Sequence, residues 1–143
     1  MPVIGTGIDL VDVPGFAQEL QRPGTRAGGV FTAAERSDAR SSPSGSGRRT
    51  PDQEMASLAA RWAAKEAFIK AWSESLWGSP PPLDEHVHAL IEVVRDAWGR
   101  PRIRLHGDVA KHLEDVTVHV SLSHDGDSAI AMVTLSTGDG FPG

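Results

Sequence analysis

The chain has 143 residues, which is the length of one ordinary domain, and 39% of them are hydrophobic. It contains no cysteine, which excludes disulfides and thiolate metal sites, and its formal net charge of −5 argues against broad nucleic-acid binding. No stretch approaches the ~20 apolar residues of a membrane span, and no apolar run follows a basic N-terminal segment. We therefore expect a single cytoplasmic domain over residues 1–143, with no nucleic-acid or membrane partner.

The first predicted strand covers residues 3–13, VIGTGIDLVDV. The two-residue period of a strand places Asp9 on the same face as Gly5 and Gly7, which have no side chains. An aspartate within an apolar strand is unusual, because a buried charge is costly unless it is paired. Asp9 is therefore either an exposed or ion-paired strand residue, or a ligand of a hard cation, with the glycines leaving room for a bulky ligand.

Short helices and a long loop are predicted next. Residues 16–20 suit a short helix, and Thr32 followed by Glu35 matches the capping box that opens helices. The Ser/Gly/Pro tract at residues 41–52, SSPSGSGRRTPD, predicts a mobile loop or an ordered lid rather than a domain boundary.

Residues 53–73 predict the longest helix, because alanines and large apolar residues recur along them at helical spacing. This spacing aligns four alanines on one small-residue face that suits close packing against another element. The four are Ala60, Ala64, Ala67 and Ala71.

The second half of the chain reads mainly as strands, and the fold class that follows is α+β, with an antiparallel sheet packed on a long central helix. Asp108 is predicted to cap a short helix through Leu113. The predicted strands are residues 90–95, 102–106, 117–123 and 128–135, and residues 136–143 are predicted to be a disordered tail.

Charged residues of the long helix have two interpretations. Glu66 and Lys70 either form an exposed i,i+4 pair worth about 0.3–0.5 kcal/mol, or Glu66 joins Asp9 in a metal site. Two carboxylates suit Mg²⁺, which takes one or two of them together with waters and phosphate oxygens. Arg61 and Lys65 are then either exposed helix charges or, with Lys70, ligands of a phosphate-rich molecule.

The end of the strand at residues 117–123 is equally open to two interpretations. Ser121, Ser123 and His124 either form a polar turn or bind phosphate. The chain has no HExxH motif and no Walker-type loop, and its GTGID stretch does not match a dinucleotide fingerprint. The residue pattern alone therefore predicts an acidic pair beside a basic helix, consistent with Mg²⁺ and phosphate.

Five segments carry a resemblance to a known family. They are GIDLVDV (7–13), FTAAE (31–35), ARWAAKEAFIKAW (60–72), IEVVRDAWGRPRIRLHG (91–107) and VHVSLSHDGDSAIAMV (118–133). Together, and in this order, they resemble the 4′-phosphopantetheinyl transferase superfamily, specifically its small holo-acyl-carrier-protein synthase branch. One such segment would be weak, but five in the right order cover most of the chain and are highly specific.

The resemblance implies the fold and the reaction of that family. The enzyme would transfer 4′-phosphopantetheine from coenzyme A to a serine of acyl carrier protein and release adenosine 3′,5′-bisphosphate. Asp9 and Glu66 would hold Mg²⁺, Glu66 would also help to deprotonate the serine, and Lys70 would neutralise or protonate the leaving group.

The resemblance also implies how the substrates are bound and how the chains assemble. The family's small members are homotrimers with the active site between protomers, which suits a chain with so lean a core. Their carrier protein docks on a basic first helix, where this chain offers only Arg22 and Arg26. The implied coenzyme A contacts are Arg61, Lys65, Ser123 and His124 around its phosphates, and Gly99, Arg100 and Pro101 at the turn beside its adenosine.

Two alternatives to the enzyme stay open on the sequence. One is a coenzyme A or nucleotide-binding module of the same fold that has lost its metal, and the presence of Asp9, Glu66 and Lys70 argues against it. The other is a trimeric scaffold, which would need no acidic pair. The residues do not distinguish fatty-acid from polyketide carriers, or Mg²⁺ from Mn²⁺.

Overall fold

The fold is described from a computed structural model, which covers residues 2–23, 29–43, 47–83 and 86–138. Strands β1 (Val3–Asp12), β5 (Ser128–Thr137) and β4 (Val116–Asp125) form an antiparallel sheet in that order. Strand β2 (Ile91–Arg95) pairs with β3 (Pro101–Leu105) in a separate antiparallel hairpin. The predicted α+β class is therefore confirmed, with two sheets in place of one. In chain order the elements are β1 Val3–Asp12, α1 Val13–Gln21, α2 Ala33–Arg40, α3 Pro51–Ser75, a 3₁₀ helix His88–Leu90, β2 Ile91–Arg95, β3 Pro101–Leu105, α4 Gly107–His112, β4 Val116–Asp125 and β5 Ser128–Thr137.

Helix α3 is the centre of the domain and is longer than its alanine pattern predicts. It begins at Pro51 because Thr50 and Gln53 form a capping box, so the tract predicted as a loop through residue 52 ends at Thr50. Before it, Ser41 pairs with Arg48 as an isolated bridge. Residues 44–46 of the tract lie outside the described part of the chain, so the predicted lid remains a prediction.

Three other predicted boundaries are corrected. Helix α1 is longer than predicted, because the Asp12 side chain accepts a hydrogen bond from Gly15 N and caps it. Asp108 is not the cap of α4, because that helix begins at Gly107 after an N-cap at His106. Strand β5 runs two residues past its predicted end to Thr137, while residues 139–143 of the predicted tail lie outside the described residues.

Strand β1 lies directly on helix α3, and its glycines make that contact possible. A Cβ atom at Gly5 would lie 2.0 Å from the carbonyl oxygen of Ala71, and one at Gly7 would lie 2.0 Å from that of Ala67. The predicted small-residue face of α3 therefore does pack closely, as expected. The room left by the two glycines is filled by the helix backbone, so the expectation that a bulky ligand occupies it is wrong.

This contact gives a stability prediction. Gly7→Ala should lower the free energy of unfolding by on the order of 2–3 kcal/mol, because the added methyl group would push strand and helix apart. Urea unfolding followed by circular dichroism measures the change. The matched control is Gly29→Ala, where a new Cβ has no neighbour within 4 Å, and it should change stability by less than about 0.5 kcal/mol. Equal stability of both variants would contradict the close strand–helix contact.

The other face of the three-stranded sheet is exposed and partly apolar. Ile8 and Leu10 of β1 are 56% and 68% exposed, and Met132 of β5 is 50% exposed. Antiparallel pairing places Ile8 directly beside Met132, and Leu10 beside Ile130. A contiguous apolar surface of this kind is typical of an interface. Within the described residues, no helix has the length and apolarity needed to cross a membrane.

Candidate active site

The two predicted carboxylate ligands line the same cavity. Asp9 projects from β1 and Glu66 from α3, and both face a cavity of about 730 Å³. Their side chains are 17% and 32% exposed, so both are accessible but partly desolvated. Apolar side chains form much of the remaining wall, including Val11, Phe16, Leu20, Val30 and Trp62.

Lys70 is held beside Asp9. Its Nζ donates to Asp9 Oδ1 at 3.0 Å and to the backbone oxygen of Ile8 at 3.0 Å. Lys70 therefore forms its hydrogen bonds with β1. The interpretation as an i,i+4 pair had instead predicted Glu66 of the same helix as its partner. Because more than half of its side chain is exposed, the ammonium can turn toward a bound ligand without leaving a buried charge.

Glu66 has a histidine neighbour that the sequence interpretation missed. His88 Nε2 lies 3.8 Å from Glu66 Oε1, and the His88 ring stacks on Trp62 with 4.7 Å between ring centroids. The nearby His88 ring and, at longer range, Lys70 hold the pKa of Glu66 below its usual value, while burial opposes them. Glu66 is therefore ionised at neutral pH and available as a ligand.

The donor set of this cavity fits Mg²⁺. Within the described residues there is no cluster of three metal-ligating side chains. Mg²⁺ does not need one, since it is commonly held by one or two carboxylates and completes its shell with waters and substrate phosphates. Asp9 and Glu66 supply two carboxylates at the cavity wall, and Lys70 engages only one oxygen of Asp9.

A second cavity, of about 210 Å³, is lined by three arginines. Arg49 precedes α3, Arg61 lies within it and Arg95 ends β2, so the cluster forms only when the chain folds. Within the described residues, the ion pair that these arginines make is between Arg95 and Asp38, with 3.9 Å from Arg95 Nη2 to Asp38 Oδ1. Three guanidinium groups with one carboxylate partner leave an excess of positive charge in this cavity, which favours the binding of an anion there.

Some arginine donors of this cavity have no partner in the described residues. Arg61 Nε and Arg95 Nη1 are both buried and make no hydrogen bond. Burial lowers the pKa of Arg61, and burial followed by repulsion from Arg95 lowers that of Arg49. Buried donors without partners are costly, so an anion that accepts their hydrogen bonds would stabilise the cluster. A phosphate group matches these donors.

Several predicted coenzyme A residues meet at this second cavity. Gly99 and Pro101 of the β2–β3 turn line it, and so does His124 at the end of β4. With Arg61 they bring four of the seven predicted contacts to one place. An adjoining cavity of about 530 Å³ shares Arg49 and His124 with it and extends along the start of α3.

Lys65 lies elsewhere, inside the core. Its Nζ donates to Glu35 Oε1 at 2.8 Å and to the backbone oxygens of His88 and Ile91 at 2.8 and 2.6 Å. Both Lys65 and Glu35 side chains are fully buried. All three ammonium hydrogens are thereby used, which contradicts the predicted contact of Lys65 with coenzyme A phosphates. Lys65 instead joins α3 to α2 and to the segment that leads into β2.

Arg100 and the two serines are also placed away from the arginine cavity. Arg100 pairs with Asp96 within the turn and lies over the Trp98 ring, 5.1 Å from its centroid. Ser121 and Ser123 are exposed on the outer face of the sheet, where Ser123 pairs with Ile130. The predicted coenzyme A contacts of Arg100 and Ser123 therefore stay predictions.

The first helix, where the family resemblance places carrier docking, keeps little of the expected basic character. Arg22 follows helix α1 and pairs with Glu19 at 3.3 Å, so its charge is matched locally. Arg26 lies outside the described residues.

Arg49, Arg95 and His88 are the site residues that the sequence interpretation missed. Arg49 belongs to the only pair of adjacent arginines in the chain, within the tract interpreted as a mobile loop or an ordered lid. Arg95 ends a predicted strand, so its position at the sheet end was a usable signal. For His88 we find no signal in the sequence.

Comparison with known proteins identifies the family of this chain. The family model of the 4′-phosphopantetheinyl transferase superfamily matches residues 5–133. A holo-[acyl-carrier-protein] synthase from Mycobacterium ulcerans is 53% identical over 137 residues, covering 96% of this chain and 99% of the relative. The resemblance predicted from the five sequence segments is confirmed.

Solved structures extend the match to the whole fold. An acyl carrier protein synthase from Mycobacterium tuberculosis has a TM-score of 0.77 and 44% identity, covering 96% of this chain and 100% of that one. An ACPS–CoA complex from Chronobacterium ammoniagenes has a TM-score of 0.82 and 40% identity, covering 96% and 99%. The chain therefore belongs to the 4′-phosphopantetheinyl transferase superfamily, a family of transferase enzymes.

Proposed function

We propose that this chain is a holo-acyl-carrier-protein synthase, which transfers 4′-phosphopantetheine from coenzyme A to a serine of acyl carrier protein and releases adenosine 3′,5′-bisphosphate. Relatives that carry this name match over nearly their full length. The observation that carries the proposal is the presence of a two-carboxylate cavity and an arginine cavity in one member of this superfamily. The predicted cytoplasmic location stays a prediction.

The two cavities divide the binding of coenzyme A between them. The arginine cavity borders the Gly99–Pro101 turn, which the family resemblance places beside adenosine. We therefore assign the 3′-phosphate, which is attached to the adenosine ribose, to Arg49, Arg61 and Arg95. The pyrophosphate lies farther along the molecule and belongs at the cavity of Asp9 and Glu66. Guanidinium groups suit a phosphate monoester because they donate two parallel hydrogen bonds.

Asp9 and Glu66 would hold Mg²⁺ at the carboxylate cavity. The bound metal would supply neutralisation of the pyrophosphate charge, which phosphoryl transfer to an alcohol needs more than covalent help from the protein. The apolar wall around the two carboxylates, Phe16 and Trp62 included, would exclude water that competes with the serine hydroxyl.

The reaction itself is a displacement at phosphorus, and residues of this chain move the protons that accompany it. The serine Oγ forms a bond to the phosphorus that carries pantetheine, and the bond from that phosphorus to the bridging oxygen breaks. Glu66 accepts the serine proton, directly or through a water. Lys70 lies beside Asp9 and neutralises or protonates the departing phosphate of adenosine 3′,5′-bisphosphate.

We further propose that the active protein is a homotrimer. The carboxylate and arginine cavities share no lining residue among those described, which is compatible with a site completed by a neighbouring protomer, as the family resemblance implies. The exposed apolar face of the three-stranded sheet offers a surface for a second copy of the chain.

Light scattering after size exclusion should therefore report three chains per particle. Leu10→Glu would place a charge on the exposed apolar face and should shift the protein to smaller particles and reduce transfer. A strictly monomeric wild-type protein with full activity would contradict the shared site.

The 3′-phosphate assignment can be tested by comparing coenzyme A with 3′-dephospho-coenzyme A. Arg49→Gln should raise KM for coenzyme A by roughly 10–100-fold, the equivalent of one charged hydrogen bond of about 1.5–3 kcal/mol. It should change KM for the dephospho compound little, because the phosphate it binds is already absent. Steady-state transfer to an apo-carrier measures both.

The control for this test is Arg40→Gln, which removes an exposed arginine that pairs with Glu54 outside the arginine cavity. It should leave KM unchanged for both compounds. If Arg49→Gln weakened the two compounds equally, the arginine cavity would not be the site of the 3′-phosphate.

A further inference from the structure

The histidine beside Glu66 is fixed in place by two contacts with the core. His88 opens the 3₁₀ helix before β2, and its ring stacks on Trp62 with an angle of 13° between the ring planes. Its backbone oxygen accepts a hydrogen bond from Lys65 Nζ at 2.8 Å. Because Lys65 is itself paired with Glu35 in the core, the main chain at His88 is anchored to a buried ion pair.

The ring nitrogen that points to Glu66 has no other partner. His88 Nε2 is buried and makes no hydrogen bond with the described residues. Glu66 Oε1 lies 3.8 Å from it. A buried nitrogen without a partner is costly, and a movement of less than about 1 Å would bring the pair to hydrogen-bond distance. The carboxylate of Glu66 is thus the group that can satisfy His88.

His88 approaches Glu66 from the side that does not contain Asp9. Glu66 and His88 together line a cavity of about 360 Å³, whereas Asp9 lines the larger cavity with Glu66 and Trp62. Glu66 therefore lies between two cavities. An interaction of Oε1 with His88 leaves the second carboxylate oxygen available to a ligand in the larger cavity, which Asp9 also lines.

We propose that His88 is a positioning residue that orients the Glu66 carboxylate toward Asp9. This inference rests on the proposed function, because it assigns His88 a role through a carboxylate that holds the metal. A group that hydrogen-bonds to a metal-ligating side chain fixes the orientation of that side chain, and its loss commonly lowers metal affinity by 10–100-fold. Stacking on Trp62 and the bond from Lys65 determine where the ring stands, and Nε2 determines where the carboxylate points.

Two variants separate the nitrogen from the ring. His88→Phe keeps an aromatic ring to stack on Trp62 but removes both nitrogens. His88→Gln loses the stacking but keeps a side-chain donor that can reach Glu66. The matched control is His112→Phe, since His112 packs near Trp72 with 6.2 Å between ring centroids and lines none of the cavities that contain Glu66.

The test measures binding of Mn²⁺ in the presence of coenzyme A by electron paramagnetic resonance, together with the Mg²⁺ dependence of transfer. We expect His88→Phe to weaken Mn²⁺ binding about tenfold or more and to raise the Mg²⁺ concentration for half-maximal rate by a similar factor. Saturating Mg²⁺ should restore most of kcat. His88→Gln should retain most of the affinity, and His112→Phe all of it.

The outcomes separate this proposal from the function. Unchanged Mn²⁺ affinity in His88→Phe would overturn the positioning role while wild-type transfer still supports the synthase. Weakened affinity in a chain that transfers nothing to any carrier would support the positioning role and count against the synthase. A wild-type chain that binds no Mn²⁺ with coenzyme A would overturn both. If His88→Phe failed to fold, weakened affinity in folded His88→Gln would overturn the role of the nitrogen.

Discussion

Asp9→Asn and Glu66→Gln should each lower the rate of phosphopantetheine transfer by at least about a hundredfold, comparable to the loss of one preorganised charge-stabilising group. Each substitution keeps the shape of the side chain but removes one of two carboxylate charges from the same cavity. Mg²⁺ binds weakly to what remains, since its affinity depends on anionic oxygen ligands. Steady-state transfer from coenzyme A to an apo-carrier, with Mg²⁺ titrated, measures the effect.

Both variants should keep the wild-type fold, because neither carboxylate is fully buried. Glu74→Gln is the matched control on the same helix: Glu74 accepts a hydrogen bond from Thr6 of β1 at 3.4 Å and lines neither of the two cavities. It should transfer at the wild-type rate. Near-normal turnover of Asp9→Asn at saturating Mg²⁺ would remove Asp9 from the site.

Lys65→Met should lower the free energy of unfolding by roughly 3–5 kcal/mol, the usual cost of removing one partner of a buried ion pair. The substitution leaves the Glu35 carboxylate buried without its cation and two backbone oxygens without their donor. Glu35 still accepts from Thr32 N and Val93 N, which limits the loss. Urea unfolding and thermal melting measure the change.

The double variant Lys65→Met with Glu35→Gln should recover part of that stability, because no unpaired charge then stays in the core. Lys111→Met is the surface control: Lys111 pairs with Asp108 but is 78% exposed, so it should cost less than about 1 kcal/mol. Wild-type stability in Lys65→Met, combined with a weaker affinity for coenzyme A, would instead support the phosphate contact predicted from the sequence.

Lys65 and Lys70 of helix α3 show what the sequence could and could not predict. Lys65 and Lys70 both lie near Glu66 in the helical pattern, and both were interpreted as phosphate ligands. Which lysine is buried depends on Glu35, which comes from helix α2 and lies 30 residues away in the chain. Helical periodicity describes one helix at a time, so it does not reveal that partner.

The first strand gives a similar contrast. Alternation correctly places Asp9 on the face that carries Gly5 and Gly7, because the period of a strand is a local property. The reason why Gly5 and Gly7 must be glycines does not lie in the local sequence. Only the packed structure shows that the backbone of α3 at Ala67 and Ala71 occupies the space beside them.

The arginine cavity was predictable in part. Arg61 and the Gly99–Pro101 turn were found because they belong to segments that resemble the family. Arg49 and Arg95 come from a loop and a strand end that meet only in three dimensions. Their significance depends on the buried, unpaired donors of the assembled cluster, and no local sequence pattern indicates such donors.

The most direct test of the account is the mass of an apo-acyl carrier protein after incubation with this chain and coenzyme A. With Mg²⁺ present, the carrier should gain the mass of one phosphopantetheine on its serine, and adenosine 3′,5′-bisphosphate should appear in equal amount. With EDTA in place of Mg²⁺, the carrier mass should stay unchanged. A folded wild-type chain that leaves fatty-acid and polyketide carriers unmodified with coenzyme A and Mg²⁺ would contradict the proposed function.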